Sequence, residues 1–370
     1  MRIMRCGRFF APILPVLTTC LFGCPPTPVA GNGASDLPFL DVDGNFTFDN
    51  ATALPLDATD QLTFSGEITG EGDIDIYELG ALKSGDRLLV DVQRLSGDLD
   101  AVAAVFDDRE LLHIFNDDRE PDASNLNPLI NEIIRGPAGD YFLGISALAG
   151  SLTTGGYSVT VRITRNVGLP AATGQIVFLN WRGGENRVIE NVGEFDLTPF
   201  DAGDLGVSAN ATELIKNRVQ QIVKDAFRGL NLTLLNSDDN AEPSVAHSTI
   251  YFGGNSRRAF AISEQIDTFN QDQTDDSIIF TRAYSMAFSR TPSVEEISQA
   301  LGNTVAHEIG HLMGLVHTSD CDSLMDSSCG NDRLLEPQDF TQAPLDQSIF
   351  PIGRQDALEL LAWTLGVLSP

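Results

Sequence analysis

The chain's 370 residues are enough for two domains of ordinary size, and 42% hydrophobic side chains can fill real cores, which excludes wholesale disorder. Its 52 Asp+Glu against 23 Lys+Arg give a net charge of -29, so nucleic acid and anionic membrane surfaces are excluded as electrostatic partners. Calcium suits such a surface because carboxylates are hard oxygen ligands, although a well-solvated acidic exterior accounts for the charge equally.

Residues 1–23 read as a targeting segment. Arg2, Arg5 and Arg8 make a basic start, and Phe9 to Phe22 is uncharged and mostly apolar. The run is short for a membrane span, and Pro12 and Pro15 argue further against one. It ends Leu21-Phe22-Gly23-Cys24, which resembles a bacterial lipobox, with Phe22 bulkier than the residue usual there. The resemblance implies cleavage before Cys24, acylation of Cys24, and export to a cell envelope with a lipid anchor in a bacterial membrane. A plain secretory signal and full secretion are the alternative. Residues 24–35, rich in Pro, Gly and small side chains, form a tether.

From 36 to 165 short apolar runs alternate with Gly, Asp and Asn turns. Leu88–Val92, Ala101–Phe106, Tyr141–Ile145 and Tyr157–Val161 read as strands, and their regular spacing predicts an antiparallel β-sandwich. Gly72-Asp73-Ile74-Asp75-Ile76-Tyr77, Ser84-Gly85-Asp86-Arg87-Leu88, Asn116-Asp117-Asp118, Pro137-Ala138-Gly139-Asp140-Tyr141-Phe142 and Gly155-Gly156-Tyr157-Ser158-Val159 follow in order. In that order they resemble the bacterial pre-peptidase C-terminal domain, here placed before the second domain rather than after it. Asp98, Asp100, Asp117 and Asp118 are candidate calcium ligands, or simply solvated turn formers.

Residues 166–173 are a linker into a second domain, 174–370. Gln175–Trp181 reads as a strand, and Thr212–Phe227 as an amphipathic helix with Leu214, Ile215, Val219, Ile222, Val223 and Phe227 on its apolar face. Strands follow at Leu232–Leu235, Thr249–Phe252, Ala259–Ile262 and Ser277–Thr281. Pro292 and Ser293 then open a helix, with Glu296 at capping-box spacing from Ser293. A last helix over Arg354–Leu365 is expected to pack Leu358, Leu361 and Ala362 inward.

Three of the five histidines lie in one run, His307-Glu308-Ile309-Gly310-His311-Leu312-Met313-Gly314-Leu315-Val316-His317. His307 and His311, four apart on a helix, share a face and can clamp one zinc. Gly314 can adopt the left-handed conformation that ends a helix and returns His317 as third ligand. Three protein ligands leave the fourth position open, the catalytic rather than the structural pattern. Glu308 stands beside the first ligand, placed to act as general base on a water at the metal. His113 and His247 read as surface or packed residues.

The run resembles the HExxHxxGxxH signature of the metzincin zinc metallopeptidases, and Thr318 after the third histidine is similar to the matrixin-like branch. The resemblance implies an α+β catalytic domain with a mixed sheet, a zinc helix and a C-terminal helix. It also implies that Met325, in Ser323-Leu324-Met325-Asp326, forms an apolar floor under the metal. Asp326 stands where some branches carry a tyrosine ligand, so a fifth protein ligand is not implied. In the family, substrate pairs with an edge strand, for which Ala259, Phe260, Ala261 and Ile262 are the candidates here. The segment from about Ser327 to Pro351 is expected to shape the specificity pocket. In an oxidising compartment Cys321 and Cys329 could close a loop around the methionine; two free thiols are the alternative. The expected activity is zinc-dependent endopeptidase hydrolysis of protein or peptide substrates. Two rivals stay open: a cell-surface zinc-containing binding protein with little or no turnover, and an adhesin built on 36–165.

Overall fold

Between Thr52 and Thr164 the chain is read by its period of two. The computed structural model describes residues 37–42, 44–120, 124–190 and 192–368. The expected targeting segment, the tether at 24–35 and Cys24 lie outside them. Nine strands follow in order: β1 (Thr52–Ala53), β2 (Gln61–Ile68), β3 (Ile74–Leu82), β4 (Arg87–Arg94), β5 (Ala101–Asp107), β6 (Leu112–Asn116), β7 (Leu129–Ile133), β8 (Gly139–Ala147) and β9 (Gly155–Thr164). They form one sheet of order β1-β3-β8-β5-β6 and another of order β2-β9-β4-β7. Pairing is antiparallel except for the short β1 beside β3.

In β9 every second residue, Tyr157, Val159, Val161 and Ile163, is buried, and Leu88, Val90 and Val92 do the same in β4. These side chains share one core with Tyr77, Val105 and Leu143 of the other sheet. Strand β5 breaks the alternation, for all seven of its residues are buried. Its second face, Val102, Ala104 and Phe106, packs on Val316, Leu345 and Phe350 from the far half of the chain. A strand covered on both faces reads as a continuous apolar run.

Inside the two-sheet core the Tyr157 hydroxyl donates to Asp75 at 2.5 Å and lies 2.7 Å from the Tyr77 hydroxyl. Burial pushes the Asp75 carboxyl up to about 8, against the pull of the Tyr157 hydrogen bond. Folding therefore favours the protonated acid. That stabilisation is full below about pH 4, where the unfolded carboxyl is also protonated, and it drains away as pH rises to about 8. Asp75→Asn is thus expected to gain in melting temperature over the parent at pH 9 relative to pH 5. An equal difference at both pH values would show that Asp75 titrates normally.

The second half contains β10 (Gln175–Asn180), β11 (Gly184–Ile189), β12 (Gly193–Leu197), α1 (Thr212–Ala226), β13 (Leu232–Asn236), β14 (Ser248–Phe252), β15 (Ala261–Ser263), β16 (Ser277–Ile279) and α2 (Val294–Leu312). After them come β17 (Gln342–Pro344), β18 (Arg354–Asp356) and α3 (Ala357–Leu365). The main sheet has the order β13-β10-β14-β16-β15, parallel throughout except for β15, which runs antiparallel along the edge. Strands β11 and β12 form a separate hairpin. Ile215, Val219 and Val223 of α1 and Ile297, Leu301 and Val305 of α2 close over the sheet in one core with Val177 and Ile250. Leu214, expected on the buried face of α1, is 48% exposed.

The chain's end departs from the helix expected over 354–365. Arg354–Asp356 pairs with β17 as a strand, and α3 starts at Ala357, where the Asp356 carboxylate accepts the Glu359 N–H. Leu358 is half-exposed, whereas Leu360 and Leu361 are buried and Ala362 packs at the core's margin. Starting three residues later does not change a helix's period. Trp363, on the same helix, faces His113 of the first half, with ring centroids 4.8 Å apart.

Candidate metal centre and active site

Helix α2 begins with a complete capping box: the Ser293 hydroxyl accepts the Glu296 N–H, and the Glu296 carboxylate accepts the Ser293 N–H. Its last three turns are buried, which fixes the helix against rotation and with it the direction of the side chains at 307, 308 and 311. The helix then ends in a Schellman motif. The Leu315 N–H donates to the Gly310 carbonyl at 2.9 Å and the Gly314 N–H to the His311 carbonyl at 2.9 Å, with Gly314 at φ +94°. This reversal returns His317 toward the helix.

The three Nε2 atoms converge. His307 and His311 are 3.0 Å apart, and each lies 3.1 Å from His317. Nδ1 of His307 sits 2.6 Å from the Leu324 carbonyl, and Nδ1 of His311 sits 2.8 Å from the Leu315 carbonyl. A carbonyl only accepts, so both Nδ1 atoms carry hydrogen and both neutral rings present Nε2 lone pairs. Burial holds all three rings below the ordinary histidine range, with His311 down to about 3, and the neighbouring rings add to this for His311 and His317. Converging lone pairs at this distance call for a cation. Tetrahedral zinc with Zn–N of about 2.0–2.1 Å spaces its nitrogens at roughly 3.3 Å, so the donor set fits.

Met325 is wholly buried, and its sulfur would lie 2.7 Å from a Cβ placed on Gly310, directly under the helix turn that carries His311. The methionine turn is tied to the residue that follows the third histidine. The Thr318 N–H donates to the Met325 carbonyl at 2.8 Å, and the Thr318 hydroxyl to the Ser323 hydroxyl at 3.2 Å. Cys321 and Cys329 are joined in a disulfide with Cα atoms 5.6 Å apart. Asp326 accepts the Ser328 and Cys329 N–H groups and so serves the turn. From loop closure over eight residues such a bridge contributes about 2–3 kcal/mol. The Cys321→Ser/Cys329→Ser pair is expected to lower the melting temperature by several degrees, and an unchanged value would show that the loop is held without the bridge.

Glu308 is 2% exposed and its carboxylate accepts the Ser263 hydroxyl at 2.8 Å. Burial raises its carboxyl to about 7, while Ser263 pulls the other way. Ser263 ends β15, one residue beyond the stretch Ala259–Ile262 singled out in the sequence. Of that stretch, Ala261 and Ile262 belong to the edge strand and Ala259 and Phe260 precede it. The Phe260 ring is instead buried against Tyr284, centroids 4.7 Å apart. Beside this edge opens a cavity of about 400 Å³, lined among others by Arg257, Phe260, Ala283, Asp326, Asn331 and Leu334.

Among the described residues, two groups of three His, Cys, Asp or Glu bring ligand atoms within 4.8 Å: the three histidines, and Cys321, Asp326 and Cys329. The disulfide takes up the sulfurs of the second. Among the described residues Asp98, Asp100, Asp117 and Asp118 are not part of either group, and Asp98 accepts the Thr154 N–H. His113 is buried against Asp107 at 3.1 Å, and His247 lies 3.9 Å from Glu242.

A family model described as Matrixin, Peptidase_M10, matches residues 206–342, the stretch from just before α1 through the zinc run and the methionine turn. The match is confined to this stretch, which is similar to matrixin peptidases. No match was found among curated proteins. Among solved structures, a zinc-dependent peptidase from Methanocorpusculum labreanum aligns at 11% identity, covering 44% of this chain and 93% of that one, with a TM-score of 0.25. Metalloproteinase-II from Bacteroides fragilis aligns at 13% identity over 80% of this chain and 91% of its own, TM-score 0.27. The pre-peptidase C-terminal domain of a collagenase from Bacillus anthracis aligns at 15% identity, covering 31% of this chain and 94% of that domain, TM-score 0.23. Within the matched stretch Ser263 was the residue that sequence reading passed over. Gln355, which brackets Val316 beside the third histidine, lies outside the stretch and was passed over too.

Proposed function

We propose that the chain is an exported zinc-dependent endopeptidase in which His307, His311 and His317 hold the metal and Glu308 is the general base. The convergence of three buried Nε2 atoms beside a buried carboxylate carries this reading. Zinc, when bound, supplies the positive charge that acidifies a water and polarises the scissile carbonyl. Glu308 takes a proton from the attacking water and delivers it to the departing amine nitrogen, while the Ser263 hydroxyl holds the carboxylate's direction. The outer edge of β15 offers backbone groups to an extended peptide, and the adjoining cavity receives one of its side chains.

The first half, residues 36–165, is read as a β-sandwich domain similar to the pre-peptidase C-terminal domain. Export with a lipid anchor at Cys24 is part of the same proposal, and the disulfide suits the oxidising side of a membrane. The test is cleavage of an unfolded protein by the zinc-loaded chain, before and after chelation and after zinc is returned. Cleavage lost on chelation and regained with zinc is expected. Zinc bound with no cleavage under any condition would favour the binding-protein reading.

A further inference from the structure

We propose that the first half of the chain positions the third metal ligand, with Gln355 as the clamp and the Gly144–Phe350 contact as the buttress. This rests on His317 being a ligand. Unlike His307 and His311, His317 has an Nδ1 that is buried and, among the described residues, makes no hydrogen bond to a protein group. Its ring direction is therefore set by its backbone and by packing rather than by a carbonyl behind it.

That backbone is held from outside the metal run. The Val316 N–H donates to Gln355 Oε1 at 2.8 Å and Gln355 Nε2 donates to the Val316 carbonyl at 3.0 Å, a two-point bracket by a side chain with 0% exposure. Gln355 lies in β18, whose Arg354 N–H donates to the Glu110 carbonyl in the β5–β6 turn of the first half. On the other side the His317 carbonyl accepts the Asp346 N–H at 3.0 Å, and the Asp346 carbonyl accepts the Ile349 N–H at 2.9 Å. That turn delivers Phe350 into the first half. A Cβ on Gly144 of β8 would lie 2.5 Å from the Phe350 ring, so only glycine admits the ring. Val316 itself is wholly buried in the same apolar seam as Ile76, Val102 and Phe106. Val316 and the His317 carbonyl thus both lead to the sheet of β3, β5 and β8.

The test compares full chains for zinc affinity by chelator competition and for the visible spectrum after cobalt(II) substitution, which reports ligand geometry. Gln355→Leu is expected to weaken zinc binding by about 10–100-fold and to alter the cobalt spectrum. Gly144→Ala should act in the same direction, and Gly144→Ala/Phe350→Leu should recover affinity by making room for the new methyl. Val90→Ala, in the far sheet's core, should lower the melting temperature and leave affinity and spectrum unchanged. Parent-like affinity and spectrum in both Gln355→Leu and Gly144→Ala would overturn the positioning role alone. An equal loss of affinity in Val90→Ala would also overturn it, assigning the effect to general instability. Parent-like zinc binding by His317→Ala would overturn the ligand set and the positioning role together.

Discussion

Glu308→Ala is expected to lower peptide hydrolysis by about 10²–10⁴-fold while zinc content stays at the parent's level, because a general base contributes on that scale and the three ring nitrogens are untouched. Two effects compete in such a variant. Removing a buried side chain leaves a small void, which costs stability. Removing a buried carboxylate, whose charged form burial disfavours, relieves a cost. The two oppose each other, so the melting temperature should move little and the loss of rate should not reflect unfolding. Steady-state cleavage with zinc measured on the same sample decides the matter. Unchanged turnover at full zinc occupancy would remove Glu308 from the proposed chemistry and leave the ligand set standing.

Gly314→Ala is expected to weaken zinc binding about tenfold or more and to lower the melting temperature. At φ +94° a side-chain-bearing residue pays roughly 1–2 kcal/mol in backbone conformation alone. About 1.4 kcal/mol is tenfold in an equilibrium constant. The added methyl would also meet the Asp267 carbonyl oxygen and Thr268 Cα at 2.9 Å each. Those are backbone atoms with little room to retreat, since the Asp267 N–H is bonded to the His311 carbonyl at 3.0 Å. Relief must come from the turn itself, which would shift His317 away from His307 and His311. Chelator competition and thermal unfolding measure the two consequences. Parent-like zinc affinity would show that the turn adapts and that the left-handed glycine is not what returns the third histidine.

Much of the metal centre is local and so was legible. The i, i+4 histidines, the Ser293–Glu296 capping box and the helix-ending glycine each depend on geometry within a few residues. Four of the nine strands of the first half were legible as short apolar runs between turn residues. Strand β5 carried a further signal that strand reading alone did not use: Ala101 to Phe106 has no polar residue, which marks a strand covered on both faces. The amphipathic pattern placed α1 correctly yet put Leu214 on the wrong side, because a 3.6-residue period tolerates a margin of about one position at the stripe's edge.

By itself the sequence determined the ligand set's spacing, the helix that carries it and the turn that returns His317, since short-range sterics and hydrogen bonding encode each of these. The tertiary structure alone decided that Ser263 meets Glu308, that Gln355 brackets Val316, and that Gly144 accepts Phe350. These pairings join residues far apart in the chain. A serine, a glutamine or a glycine has no local pattern that names its distant partner, so packing of the two halves makes the choice.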